Sequence, residues 1–167
     1  TSTRTISLMM PSSSPTASTA TTATKPMIVS TKGRYALRVM VHFAQRGGED
    51  YIPLKEIAES EGISQKYLES IMTSLSKAGF VDAAHGKGGG YRLNRNPEDY
   101  TVGAILKLTE GSLAPVSCTS QGASACARSE CCQTLPMWER LDKLIDDFFE
   151  GITIADLLRD GGAEKVN

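Results

Sequence analysis

Residues 52–79 constrain the fold more than any other stretch, because they contain two short amphipathic helices separated by a glycine turn. The segment IPLKEIAESEG predicts a helix that ends at Gly62. Shortly after it, Ser64 is a suitable N-cap for a second helix, SQKYLESIMTSLSKAG, which closes at Gly79. Two helices joined by a tight glycine turn predict a helix-turn-helix.

The second helix of this pair has one apolar face and one polar face. Its apolar residues recur at helical spacing and are Leu68, Ile71, Met72 and Leu75. Its opposite face carries polar residues that no core requires: Gln65, Lys66, Glu69, Ser70, Thr73 and Lys77. Such a face is suited to contact base edges, and the first turn of the helix offers free N–H groups to a phosphate. A solvated helix face without a ligand is the alternative.

The residues that follow predict a β-hairpin and hence a winged helix. FVDAAHGKGGGYRLNRNP reads as a strand, a glycine turn and a second strand, with Lys87 at the tip and His85 beside it. Residues 64–95 contain five Lys and Arg against two acidic residues, in a chain whose net charge is -1. No Ser or Thr follows the lysine of GKGGG, which argues against a phosphate-binding loop of nucleotide enzymes. A hairpin without DNA contact is the alternative.

Four further helices surround this unit in the sequence. STKGRYALRVMVHFAQRGG predicts a first helix, with Ser30 or Thr31 as N-cap and Gly47 as its end. TVGAILKLTEG, LPMWERLDKLIDDFFEG and TIADLLRD predict the other three. The apolar stripe of the longest is too wide for one edge of a small domain, which favours a dimer interface over packing within its own domain. The predicted fold is mainly α with a small β-hairpin wing: a winged helix-turn-helix domain plus a long C-terminal dimerisation helix.

Composition divides the chain into four parts. Residues 1–26 are rich in Ser, Thr, Pro and Ala and contain no acidic residue, which predicts a disordered leader or a start artefact, with a transit-like peptide as the alternative. Residues 27–100 form the predicted DNA-binding domain, 101–160 the cysteine loop and dimerisation helices, and 161–167 a flexible tail. No apolar run suits a membrane span and no secretory signal is evident, so we expect a soluble, cytoplasmic protein.

All four cysteines lie within CTSQGASACARSECC, residues 118–132. A cytoplasmic setting disfavours disulfides, and the absence of a C-x-x-C pair makes zinc a poor match. Redox-active thiols remain, since Arg128 would lower the pKa of a neighbouring thiol, and so does an iron–sulfur cluster held by thiolates. No residues suggest a catalytic constellation, and we expect no enzyme.

Several motifs together resemble the IscR-type (Rrf) family of winged-helix iron–sulfur transcriptional regulators. These motifs are STKGRYAL, GISQKYLESIMTSLSKAGFV, GKGGGYRL, LTEG followed by PV, and a cysteine loop before a Trp-bearing helix. The resemblance covers about residues 27–160. It implies a homodimer that binds a palindromic double-stranded DNA operator, and in several members a 2Fe-2S or 4Fe-4S cluster.

The resemblance also implies site residues. The family's three cysteine ligands fall on Cys118, Cys126 and Cys132, the last of which stands six positions before Trp138. In the branch that regulates cluster assembly, a histidine stands three residues after the last cysteine, and here that position is Leu135. The fourth ligand is left to Cys131, Glu130 or a residue of a second subunit.

For DNA, Glu69 matches the family's recognition-helix glutamate, and neighbouring positions match residues near phosphates and base edges. The predicted DNA-binding residues are Ser64, Lys66, Tyr67, Glu69, Ser70, His85 and Lys87. His85 stands where the family often has an arginine that enters the minor groove. Two alternatives stay open: a clusterless regulator that responds to a partner enzyme of cysteine metabolism or to thiol oxidation, and a zinc-stabilised interaction module without a DNA role.

Overall fold

A computed structural model describes residues 29–48, 50–119 and 129–163 of the chain. These residues form six α-helices, three short 3-10 helices and one two-stranded antiparallel sheet. In chain order the α-helices and strands are α1 (Thr31–Arg46), α2 (Leu54–Glu61), α3 (Gln65–Lys77), β1 (Val81–Ala84), β2 (Gly90–Leu93), α4 (Val102–Glu110), α5 (Leu135–Glu150) and α6 (Ile154–Ala163). The predicted mainly helical fold with a hairpin wing is confirmed. The leader, Cys126 and residues 164–167 lie outside the described residues.

Helix ends follow local side-chain chemistry. Ser30 caps α1 by accepting a hydrogen bond from the backbone N–H of Gly33. Ser64 caps α3 in the same way, through the N–H of Tyr67. Gly62 ends α2 with φ 64°, a left-handed conformation that favours glycine, and so creates the tight turn between α2 and α3. The helix-turn-helix therefore forms at the predicted positions.

One apolar core holds α1, α2, α3, α4 and the hairpin together. The apolar face of α3 lies at its centre, where Leu68, Ile71, Met72 and Leu75 are fully buried. Residues from the neighbouring elements complete this core, among them Met40, Ile57, Val81, Tyr100, Ile105 and Ile154. Because α3 buries one face completely, its opposite face is held rigidly toward the outside.

The wing pairs β1 with β2 in register, from Val81 opposite Leu93 to Ala84 opposite Gly90. Gly86 and Gly88 in its turn have φ of 96° and 84°, which other residues rarely adopt. A side chain at Gly90 would collide with the backbone of Ile52, which forms an isolated antiparallel bridge with Tyr91. At Gly90 the backbone therefore approaches another segment of the same chain closely.

Helix α5 projects from this core. It packs against α4 and against a short 3-10 turn, Ser117–Thr119, and none of its residues is buried. Met137, Leu144 and Phe148 are 53%, 65% and 62% exposed, so much of the predicted apolar stripe faces outward. Within the described residues, no helix has both the length and the apolar character needed to cross a membrane.

Candidate nucleic-acid interface and cysteine loop

The outward face of α3 is polar along its full length. Each of the six polar residues that the sequence assigned to this face is exposed: Gln65, Lys66, Glu69, Ser70, Thr73 and Lys77. A rigid helix with a continuous exposed polar face has the form that enters a DNA major groove. Glu69 stands near the middle of the predicted DNA-binding set on this face, with its carboxylate exposed.

Three hydroxyl side chains on this face donate to the helix backbone. Ser70 Oγ donates to the carbonyl of Tyr67 at 2.7 Å, Thr73 Oγ1 to that of Glu69 at 2.7 Å, and Ser74 Oγ to that of Ser70 at 3.0 Å. Their oxygen lone pairs remain able to accept from a partner. Ser70 can still donate to DNA if its hydroxyl rotates. Ser64 likewise combines its predicted role near DNA with its role as helix cap.

The start of α1 lies beside α3 and supplies residues that sequence reasoning did not select. Lys32 Nζ donates to Ser74 Oγ at 3.1 Å, which places an ammonium group next to the exposed face of α3. The ring of Tyr35 meets the ring of Tyr67 edge-on at 6.0 Å, and this contact orients the exposed Tyr67. The motif STKGRYAL contains both Lys32 and Tyr35, but only the tertiary structure shows that these residues contact α3.

At the wing, His85 and Lys87 are exposed in the turn between β1 and β2. The two arginines of the hairpin region are engaged elsewhere. Arg92 lies 3.5 Å from Asp82 and 4.7 Å from the centre of the Tyr51 ring, and Arg95 donates to the carbonyl of Gly79 at 3.1 Å. The charge that the wing can present at its tip therefore rests on Lys87, with His85 beside it.

Three of the four cysteines, Cys118, Cys131 and Cys132, fall within the described residues, and none of the three forms a disulfide there. Cys118 and Cys131 are exposed in two 3-10 turns, and Cys132 is half-buried just before α5. The Thr134 hydroxyl, 3.3 Å from Cys132 Sγ, and the backbone N–H groups of Thr134 and Leu135 lower the pKa of the Cys132 thiol. The start of α5 thus favours a thiolate, the form that binds iron.

The chemistry of these donors fits an iron–sulfur cluster. Cys118 belongs to the turn that packs against α5, and Cys132 immediately precedes the same helix. Within the described part of the chain, no three His, Cys, Asp or Glu side chains are grouped so that they could hold a metal ion. Cys126, the remaining predicted ligand, lies outside the described residues. The side chain of Leu135, half-buried in the first turn of α5, offers no ligand atom.

An exposed polar helix above a buried core, next to a glycine-tipped wing, defines a winged-helix DNA-binding protein. The sequence profile of the Rrf2 family, described as iron-dependent transcriptional regulators, matches residues 29–160. The chain therefore belongs to the Rrf2 family.

Individual relatives agree with this assignment. The HTH-type transcriptional regulator IscR of Aliivibrio salmonicida is 35% identical over 141 residues, covering 84% of this chain and 83% of the relative. Among solved structures, IscR of T. potens is 36% identical with a TM-score of 0.66, and covers 84% of this chain and 93% of its own. CymR, the global cysteine regulator of B. subtilis, is 32% identical with the same TM-score of 0.66, and covers 79% and 96%.

These comparisons confirm the resemblance seen in the sequence motifs. The protein is a DNA-binding transcriptional regulator of the IscR and Rrf2 type, and the expectation that it is not an enzyme is confirmed by the regulators it resembles. An interaction module without a DNA role is excluded by this family membership. The individual DNA-binding and cysteine residues stay predictions.

Proposed function

We propose that this protein is a cytoplasmic homodimeric regulator that reads a two-part DNA operator through α3 and the wing, and senses iron–sulfur, redox or nitric-oxide status through its cysteine loop. The observation that carries the DNA part is the fully exposed polar face of α3, held beside the wing on a buried apolar core. The relatives named IscR support the sensing part.

In this proposal the predicted DNA-binding residues divide into one that reads a base and others that bind the DNA backbone or the minor groove. The carboxylate of Glu69 accepts a hydrogen bond from the exocyclic amine of a cytosine in the major groove. Lys66, Tyr67, Ser64 and Ser70 hold the phosphates around it, aided by the N–H groups at the start of α3. Lys87 and His85 contact the phosphates or minor groove next to the half-site. His85 is a weaker phosphate anchor than the arginine that the family often has at this position.

Two variants separate base reading from phosphate binding. Glu69→Ala should lower the preference for the selected sequence by about 1–3 kcal/mol per half-site, whereas Lys87→Ala should weaken binding to all duplexes and reduce the salt dependence by about one phosphate contact. Both are measured by fluorescence anisotropy on specific and scrambled duplexes at several salt concentrations. Unchanged sequence preference in Glu69→Ala would refute the assignment of this residue to base reading.

The residues proposed to hold the cluster are Cys118, Cys126 and Cys132, with Cys131, Glu130 or a residue of the second subunit as fourth ligand. Bound there, an iron–sulfur cluster supplies a centre that oxidation, nitric oxide or iron limitation can alter. The chain contributes soft thiolate donors next to the start of α5, so a change at the loop reaches the helix that carries the proposed dimer face. Leu135 leaves this site without the histidine ligand of related regulators, which favours a labile cluster.

Isolation of the protein under anaerobic conditions tests the sensing part. We expect a visible absorption band, with iron and sulfide bound in stoichiometric amounts, that disappears in Cys132→Ser. Cys131→Ser removes the adjacent thiol, and its spectrum shows whether that thiol is the fourth ligand. Colourless, iron-free wild-type protein would instead support the clusterless alternative, in which the regulator responds to thiol oxidation or to a partner enzyme of cysteine metabolism. The observation that favours this alternative is the structural likeness to CymR, a cysteine regulator.

The proposed dimer forms through α5. Its exposed residues Met137, Leu144 and Phe148 recur on the helix at spacings of seven and four, which places them along one stripe. Large apolar side chains on a helix without a buried residue are suited to a symmetric helix pair. Such a pair would bring two copies of α3 to two half-sites of one operator.

A further inference from the structure

A compact set of polar contacts connects the end of α5 to α4. Glu150 on α5 accepts hydrogen bonds from Lys107 Nζ at 2.8 Å and from the Thr101 hydroxyl at 2.6 Å. Lys107 also forms an ion pair with Asp146, one turn earlier on α5. We call Thr101, Lys107, Asp146 and Glu150 the α4–α5 joint. It links two helices that are far apart in sequence.

Charge and packing both favour this arrangement. Thr101 caps α4, so the carboxylate of Glu150 lies at the positive end of that helix. Hydrogen bonds from Lys107 and Thr101 lower the pKa of Glu150, and those from Lys107 to Asp146 and Glu150 raise the pKa of Lys107. A Cβ atom at Gly103 would come within 2.7 Å of the Glu150 carboxyl group, so glycine at this position leaves room for the Glu150 side chain as it is placed.

The joint continues into the wing. The N–H of Val102 donates to the carbonyl of Ile152 at 2.8 Å, and the N–H of Ile154 donates to the carbonyl of Tyr100 at 2.9 Å. The buried Tyr100 hydroxyl accepts from the N–H groups of Asn94 and Arg95 at the end of the wing. The end of α5 is therefore connected through Tyr100–Val102 to the hairpin that carries Lys87.

Apolar burial alone holds α5 weakly on the body of the molecule. None of its residues is buried, and its contacts are chiefly with α4 and the turn Ser117–Thr119. Apolar contacts have no preferred direction, whereas hydrogen bonds and ion pairs to two carboxylates one turn apart restrict the angle of the helix. The joint adds directional contacts between the proposed dimer helix and the DNA-binding unit.

We propose that Lys107 is a positioning residue, which fixes the angle between α5 and the winged helix and thereby the distance between the two DNA-reading units of the dimer. The proposal rests on the proposed dimer through α5. Its consequence is that the joint determines how strictly the protein recognises the spacing of two half-sites. Loss of Lys107 should leave each DNA-reading unit intact but make the distance between the two units variable.

The test uses the full-length protein and the duplex that the wild type selects from a random library. Affinities are measured for this duplex, for versions with one base pair inserted or removed between the half-sites, and for a single half-site. Lys107→Met should reduce the preference for the selected spacing by about tenfold, because a looser connection lowers the effective concentration of the second head. Its affinity for the single half-site should equal that of the wild type.

Lys143→Met is the matched control. Lys143 forms an ion pair with Asp147 within α5, at 2.9 Å. The variant therefore removes the same chemical group from an ion pair that does not involve α4. It should preserve the spacing preference, and Lys107→Arg should restore it. Melting temperatures of Lys107→Met and Lys143→Met should be similar, which separates positioning from general stability.

The outcomes distinguish this proposal from the proposed function. If the wild type selects no paired half-sites, both the proposed dimeric binding and the proposed role of Lys107 are overturned. A wild type that selects paired half-sites and a Lys107→Met variant that discriminates spacing equally well would overturn the joint alone. Equal loss of discrimination in Lys107→Met and Lys143→Met would also refute it, because the effect would then belong to α5 in general.

Discussion

The DNA-binding body and helix α5 differ in how the structure holds them. In the body, α3 buries four large side chains completely and exposes only its polar face. In α5, sixteen residues form a helix of similar amphipathic pattern, yet none is buried and three large apolar side chains are exposed. An apolar stripe thus has two outcomes in this molecule: in α3 it is buried and supports a rigid polar surface, and in α5 it remains exposed.

The largest expected effect lies in the body. Leu68→Ala removes a fully buried side chain from α3 and should lower the free energy of unfolding by about 2–5 kcal/mol, through lost burial and the cavity left behind. Chemical denaturation at several protein concentrations measures it, and the loss should not depend on concentration. Met137→Ala on α5 is the control, since its effect should appear only where dimers form. Similar losses in both variants would abolish the distinction between the two regions.

Phe148→Asp tests the exposed apolar stripe of α5. This side chain is 62% exposed, so the body should keep its helical content, while a carboxylate in an apolar helix pair should weaken dimerisation by about a hundredfold or more. Sedimentation velocity measures the dimer, and circular dichroism the fold. Gln65→Asp makes the same charge change on α3 and should leave the dimer intact. A wild type that is monomeric at micromolar concentration would contradict the proposed interface.

Tyr100→Phe tests how firmly the wing is attached to the body. The hydroxyl accepts from the N–H groups of Asn94 and Arg95 at 3.1 and 2.9 Å, and burial raises the pKa of this phenol. Its removal leaves two backbone donors without this acceptor, so we expect a loss of about 1–3 kcal/mol and faster hydrogen exchange at these two amides. The exposed Tyr67 provides the control, as Tyr67→Phe should leave stability unchanged. Wild-type exchange rates in Tyr100→Phe would show that the hydroxyl is dispensable for the wing.

The smallest effect is the pH dependence of the α4–α5 joint. Because the folded-state pKa of Glu150 lies below the ordinary 4.5 of a glutamate, its contribution is complete above that pH and is lost as the pH falls through the lowered value. Glu150→Gln should thus cost at most about 1 kcal/mol at pH 7, since the groups are partly exposed, and less in acid. Melting temperatures of both proteins at pH 7 and pH 3 measure this difference. A difference in melting temperature between the two proteins that is larger at pH 3 than at pH 7 would contradict this prediction.

Sequence patterns predicted the elements whose causes are local. Ser30 and Ser64 cap the helices for which they were selected, and Gly62 forms the turn between α2 and α3. The predicted apolar face of α3 is the centre of the core. Caps, glycine turns and helical periodicity act over a few residues, so their signal is complete within a short stretch of sequence.

Contacts between distant residues escaped the same patterns. The sequence around Tyr100 does not indicate that its hydroxyl binds the end of the wing, and the sequence around Glu150 does not indicate that it binds α4. In both cases the partner residues belong to other elements of the chain. Arg92 and Arg95 counted toward a basic wing, but their positions beside Asp82 and Gly79 use them within the fold. The spacing of polar residues along the sequence does not show which residue each of them will contact in the fold.

The sequence by itself determined the helix-turn-helix, the wing, the polar face of α3 and the family, since these depend on local spacing and on motifs. Only the tertiary structure decided which charges remain free to meet DNA, how the end of α5 is tied through Tyr100–Val102 to the wing, and that the stripe of α5 stays exposed. The physical reason is that burial and ion pairing depend on which surfaces meet. An apolar stripe or a lysine looks the same in the sequence whether a partner element covers it or not.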